Sequence, residues 1–140
     1  MNDNSERCKH MTDRKLIDMA VEVMANSYSP YSGFKVGAAV ECADGTVFTG
    51  CNIENVSFGG TMCAEAAAVA SAVSAGKRTF KRIAISSEGG TYCFPCGACR
   101  QLLSEFSPDM EVLCSRADGR YVSYSLSALL PMVFGKDQLA

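Results

Sequence analysis

Two short cysteine motifs constrain this chain more than any other feature: Cys63-Ala64-Glu65 and Pro95-Cys96-Gly97-Ala98-Cys99. Each opens a segment with the composition of a helix. Thr61 is placed to cap an alanine-rich run from Met62 to about Ala75, which Gly76 closes. Pro95 suits the first position of a helix that runs to about Phe106. A fold that uses both motifs together has to bring two helix starts to one point.

The spacing within each motif defines what could be held there. Cys96 and Cys99 are three apart, so they leave nearly the same side of a helical turn and can grip one ion. Cys63 and Glu65 are two apart, about 200° around a helix, so they share no lateral stripe. Both can reach a ligand beyond the helix start, which puts Glu65 beside a metal without making it a ligand. Three thiolates suit zinc, and three protein ligands leave one tetrahedral position for water, as catalytic zinc requires. Zinc lowers the pKa of such a water to roughly 7 in favourable sites, and an adjacent carboxylate can move its protons. Two helix N-termini supply partial positive charge against the excess of thiolate, with Arg100 a candidate helper. Spacing leaves alternatives open. Cys93, Cys96 and Cys99 are evenly spaced and could close a four-cysteine structural site with Cys63, and a Cys-x-x-Cys pair also serves redox chemistry or an iron–sulfur cluster. Glu65 favours the open site, because a structural zinc has no use for it.

The rest of the chain reads as one α/β domain. Residues 14–26 place Leu16, Ile17, Ala20, Val23 and Met24 on one helical face. Val36–Cys42 and Thr46–Cys51 read as strands joined at Asp44-Gly45. Arg82–Ser86, Met110–Ser115 and Tyr121–Tyr124 read as further strands, and residues 125–130 as a short helix. A hairpin followed by β-α-β crossovers implies a mixed sheet covered by helices. Residues 1–13 form a polar extension and residues 14–140 the domain. Cys8, Cys42, Cys51, Cys93 and Cys114 stand singly and read as small buried hydrophobes. The N-terminus has no apolar leader and no stretch is long enough to span a membrane, so a cytoplasmic protein is expected. The net charge is −2 and no Lys/Arg-rich run appears, which favours a small-molecule substrate over nucleic acid.

At these residues the chain resembles the small, homotetrameric, three-cysteine cytidine deaminases. Besides the two cysteine motifs, the similarity includes Pro30-Tyr31-Ser32, Phe34-x-Val36-Gly37-Ala38-Ala39, Gly50-Cys51-Asn52-Ile53-Glu54-Asn55, Arg100-Gln101, and Leu129-Leu130-Pro131 with Phe134. It covers about residues 14–140. The resemblance implies a three-layer α/β/α sandwich around a mixed five-stranded sheet, and hydrolysis of cytidine or deoxycytidine to the uridine and ammonia. It implies one zinc per chain on Cys63, Cys96 and Cys99, with Glu65 as the catalytic proton carrier. It assigns the ribose hydroxyls to Asn52 and Glu54, packing against the base to Phe34, and base contacts to the Ala64 N–H and the Phe94 carbonyl. Phe134 would enter the site of an adjacent subunit, although on sequence alone packing in its own core is the plainer expectation.

Two positions depart from that pattern. Many three-cysteine members carry Arg directly after the catalytic Glu, where it hydrogen-bonds the thiolates, and this chain has Ala66. Many carry Tyr where this chain has Phe58, so one ribose-directed hydroxyl is missing. Phe58-Gly59-Gly60 is also similar to blasticidin S deaminase, which makes an antibiotic or modified nucleoside the alternative substrate. A zinc-stabilised binding module is the alternative outside enzymology.

Overall fold

The computed structural model describes residues 11–140. Helix α1 spans Asp13–Met24 and is capped by Thr12, whose hydroxyl accepts from Lys15 N at 3.1 Å. Strand β1 (Val36–Cys42) turns back through the Asp44-Gly45 hairpin into β2 (Val47–Cys51). Helix α2 (Ala64–Ser74) leads to β3 (Phe80–Ser87), then α3 (Gly97–Phe106), β4 (Glu111–Ser115), β5 (Tyr121–Ser125) and the single turn α4 (Leu126–Leu129). Cys8 and most of the expected extension lie outside the described residues. Met11 and Asp13 belong to the fold: the Met11 carbonyl accepts from Arg82, and Asp13 pairs with Arg82 at 2.6 Å.

The five strands form one mixed sheet in the order β2-β1-β3-β4-β5. β3 and β4 run parallel, joined by the α3 crossover, and the other neighbours are antiparallel. Strand alternation divides the core between two faces. Ala38, Val40, Ile83, Ile85, Val112 and Cys114 face α2, α3 and Leu126. Ala39, Ala84 and Leu113 face Leu16, Ile17 and Ala20 of α1. The architecture is therefore the expected three-layer sandwich. Val23 and Met24 are only half-buried, so the apolar face of α1 is narrower than its periodicity predicts.

Two strand glycines set how closely the helices lie. A Cβ on Gly37 would overlap the Ala20 carbonyl oxygen and stand 2.9 Å from Met24 N. A Cβ on Gly50 would overlap Ala68 N and stand 2.8 Å from the Ala64 carbonyl oxygen. At both points helix backbone rests directly on strand backbone, which only glycine allows. The contact at Gly50 fixes the height of α2, and hence of the residues at its N-terminus.

Candidate active site

The two cysteine motifs sit where the helices begin, two residues after the expected starts. Cys63 is the N-cap of α2 and Cys96 the N-cap of α3. Thr61 does not cap α2; its hydroxyl accepts instead from Asn55 N at 3.3 Å. Pro95 precedes the α3 cap and does not occupy the first helical position. The first-turn N–H groups of both helices have no intrahelical acceptor and face this point.

The sulfurs of Cys63, Cys96 and Cys99 all lie within 4.8 Å of one another. The Cys63 and Cys96 sulfurs are 3.7 Å apart. A tetrahedral zinc with Zn–S bonds near 2.3 Å separates its sulfurs by about 3.8 Å, so this donor set fits zinc in kind and in spacing. Cys93 is not a member of the cluster. It is half-buried with its sulfur beside the Ser87 hydroxyl, and burial pushes its thiol up to about 11. The closed four-cysteine arrangement left open by spacing is thus not what the fold builds.

Burial sets the electrostatics. It pushes the Cys63 thiol up to about 11, with the Cys96 sulfur and the Glu65 carboxylate adding to the rise. Burial and then Glu65 push the Cys99 thiol up further. Cys96 goes the other way: burial opposes ionisation, but the Cys99 backbone N–H and the Cys63 thiol facing its sulfur outweigh it. Glu65 is 4% exposed. Burial raises its carboxyl, with partial relief from the Cys99 thiol that bonds to it. A carboxyl raised in this way beside a metal-type cluster is poised to take up and release protons.

A pocket of about 230 Å³ opens over the cluster. Cys63, Cys96 and Glu65 line it together with Phe34, Asn52, Ala64 and Phe94. Val36, Thr61, Met62 and Cys93 complete the wall; the sequence placed none of them in the open site, although Val36 lies two residues from Phe34, and Thr61 and Met62 immediately precede Cys63. A neighbouring hollow of about 410 Å³ shares Thr61 and is lined by Tyr31, Ser32, Glu54 and Phe58.

The strand-end segment carrying Asn52 and Glu54 is pinned directly to the cysteine motif. Ile53 exchanges both backbone hydrogen bonds with Met62 at 2.9 Å, while Tyr28 N donates to the Asn52 carbonyl and Glu54 N to the Tyr28 carbonyl. The Asn52 side chain is already engaged: it accepts from Val36 N at 2.9 Å and from the Ser27 hydroxyl, and donates to the Phe34 carbonyl at 2.8 Å. Asn52 thereby holds Phe34 at the pocket wall. Glu54 Oε1 accepts from Tyr31 N at 2.9 Å and Ser32 N at 3.0 Å. The Ser32 hydroxyl, bonded to Oε2, is the main cause lowering the Glu54 carboxyl below its ordinary value.

Two sequence expectations change. Arg100 does not face the thiolates: its Nε donates to the Pro95 carbonyl at 2.9 Å and its Nη1 to the Leu129 carbonyl at 2.7 Å. Phe134 does not pack into its own core: it is 60% exposed and stands outside the pocket over the cluster. Of the remaining single cysteines among the described residues, Cys42 and Cys114 are buried and Cys51 is half-buried.

Comparison with known proteins agrees with this geometry. The family model described as the cytidine and deoxycytidylate deaminase zinc-binding region matches residues 10–115. A cytidine deaminase of Sporosarcina psychrophila is 40% identical over 131 residues, covering 93% of this chain and 96% of its own. A probable cytidine deaminase of Dictyostelium discoideum is 42% identical over 126 residues, 89% of this chain and 85% of its own. The crystal structure of cytidine deaminase from Burkholderia pseudomallei superposes with a TM-score of 0.86 at 44% identity, covering 89% of this chain and 100% of that one. With its three-sulfur cluster, its buried glutamate and these relatives across nearly its whole length, the chain belongs to the zinc-dependent cytidine and deoxycytidylate deaminase family.

Proposed function

We propose that this protein hydrolyses cytidine and deoxycytidine to the corresponding uridines with release of ammonia, as a cytoplasmic enzyme of pyrimidine salvage. The observation that carries the reading is the buried Glu65 carboxyl beside the Cys63, Cys96 and Cys99 sulfurs on the floor of a pocket walled by Phe34 and Phe94. The seven described cysteines are free thiols, which suits a reducing compartment. No helix among the described residues is long and apolar enough to cross a membrane.

Cys63, Cys96 and Cys99 would hold one zinc per chain, which when bound would supply the Lewis acidity that makes water nucleophilic at neutral pH. Glu65 carries the two protons of the attacking water, one to the ring nitrogen N3 and one to the departing amine, so one C–N bond breaks, one C–O bond forms and the carboxylate is regenerated. The Ala64 N–H, free at the start of α2, and the Phe94 carbonyl fix the pyrimidine edge. Phe34 packs on its face. Glu54, kept ionised by the Tyr31–Ser32 turn, accepts from a ribose hydroxyl, and Asn52 contributes to the sugar contact while bracing Phe34. Residues 14–140 are the catalytic domain. The working form is a homotetramer in which Phe134 of one subunit closes the pocket of its neighbour, in keeping with its exposure here. Free nucleosides, and neither nucleic acid nor membranes, are its partners.

The test follows the ultraviolet absorbance of cytidine, deoxycytidine and blasticidin S with zinc-loaded protein. Wild type turns over the first two. Glu65→Gln stays folded and zinc-replete and loses about 10²–10⁴ in rate. Substantial turnover by that variant removes Glu65 from the reaction, and turnover of blasticidin S alone reassigns the substrate.

A further inference from the structure

Arg100 and Gln101 are adjacent on α3, the helix that carries Cys96 and Cys99. Both side chains are spent on carbonyls of other segments. Arg100 bridges Pro95, the residue before the Cys96 cap, to Leu129 at the end of α4. Gln101 Nε2 donates to the Phe134 carbonyl at 2.8 Å. The partner is a carbonyl, so only the amide nitrogen of Gln101 can make this bond. The C-terminal tail is thus attached to the cysteine-bearing helix by hydrogen bonds at residues 129 and 134, and by an exposed ion pair between Lys136 and Glu105 at 3.6 Å.

Between the two hydrogen-bonded attachments lies a strained residue. Met132 has φ +51, the only non-glycine residue with positive φ among those described, and its side chain is fully exposed. A non-glycine side chain rarely occupies that region unless its surroundings impose it. No core packing of Met132 imposes it here. The tethers at Leu129 and Phe134 bracket the turn, and the Phe134 ring emerges from it toward solvent.

We propose that Gln101, supported by Arg100, is a positioning residue that mounts the tail on α3 and sets where Phe134 is presented to a second copy of this chain. The inference rests on the reading that Phe134 closes a neighbour's pocket. It deepens that reading, because the helix that holds two cysteines of one site then also carries the aromatic ring of the next. Gln101 touches no substrate; it acts through Phe134.

The experiment measures kcat and KM for cytidine in zinc-loaded wild type, Gln101→Ala, Phe134→Ala and the double variant, with zinc content and light scattering on each. Gln101→Glu is the second single variant, because it keeps the shape and cannot donate to the Phe134 carbonyl at neutral pH. The expected result is a KM about tenfold higher in both Gln101 variants, with kcat, zinc and assembly held. The double variant should be no worse than Phe134→Ala, since a residue that acts only through the ring has nothing left to lose once the ring is gone. A raised KM in Phe134→Ala with a wild-type KM in the Gln101 variants overturns this inference and leaves the shared site standing. Multiplicative effects in the double variant, or zinc loss in both Gln101 variants, overturn it in favour of a general structural role. A wild-type KM in Phe134→Ala overturns the shared site and this inference with it.

Discussion

Glu65 and the three cysteines form one electrostatic unit, and the direction of each shift has a measurable consequence. Burial keeps Cys63 near 11 and raises Cys99, so both are thiols at neutral pH in the metal-free protein. Zinc takes thiolates, so loading must expel those protons and affinity must rise with pH. Titration calorimetry in buffers of different ionisation enthalpy should show net proton release at pH 7, and zinc should be lost to chelator more readily at pH 5.5 than at pH 8. A pH-independent loss would mean that the thiols are already ionised. Cys93→Ala should retain zinc in the same assay, because its sulfur lies outside the cluster. The residue types were legible in the sequence because metal chemistry needs few of them at fixed spacings. Their partners were not. The Asn52 side chain satisfies Val36 N and the Phe34 carbonyl, and Arg100 satisfies two carbonyls, because buried backbone groups need acceptors and donors that no spacing rule reveals.

Helix starts, strands and the hairpin were legible as elements because caps, turn residues and alternation are local. Boundaries slipped by a residue or two where tertiary contacts override local preference, as at Thr61, which serves Asn55 and not the helix. What local reading gave no weight is the packing function of Gly37 and Gly50, although an isolated glycine inside a strand pattern signals close backbone approach. Gly50 carries the stronger consequence, because α2 rests on it and carries Cys63 and Glu65 at its start. Gly50→Ala should cost about 1–3 kcal/mol by overpacking, read as a lower urea midpoint. The shift of α2 should also cut turnover, since small misplacements of a catalytic group cost up to about 10² in rate. Gly45→Ala is the contrast. Its φ is +89 with open space around it, so it strains the hairpin and lowers stability without touching kcat or zinc. Equal kcat losses in the two variants would show that α2 height is not what matters.

At the scale of the molecule, the β-α-β pattern made a mixed sheet legible, whereas the strand order, with β2 and β5 at the edges, was not, because it is set by contacts between segments far apart in the chain. Assembly is longer in range still. Tyr31, Phe34, Phe58, Met62 and Phe94 are exposed around the two adjoining hollows, and Phe134 is exposed elsewhere on the same chain. A surface of large apolar side chains around a polar site is what a second copy would cover. Under the proposed exchange of Phe134 between copies, activity depends on assembly, so the site should weaken on dilution by mass action. The chain contains no tryptophan, which makes Phe134→Trp a sole emitter at its excitation wavelength. In the assembled protein its emission should be blue-shifted and should respond to added uridine, because the indole then sits against the base of the neighbouring site. Dilution should red-shift the emission and raise KM over the same concentration range, whereas Gln101→Ala in the Phe134→Trp background should weaken the uridine response without dissociating the assembly. A water-exposed emission maximum at every concentration, in protein that retains wild-type KM and scatters light as a monomer, would remove the partner subunit from the site.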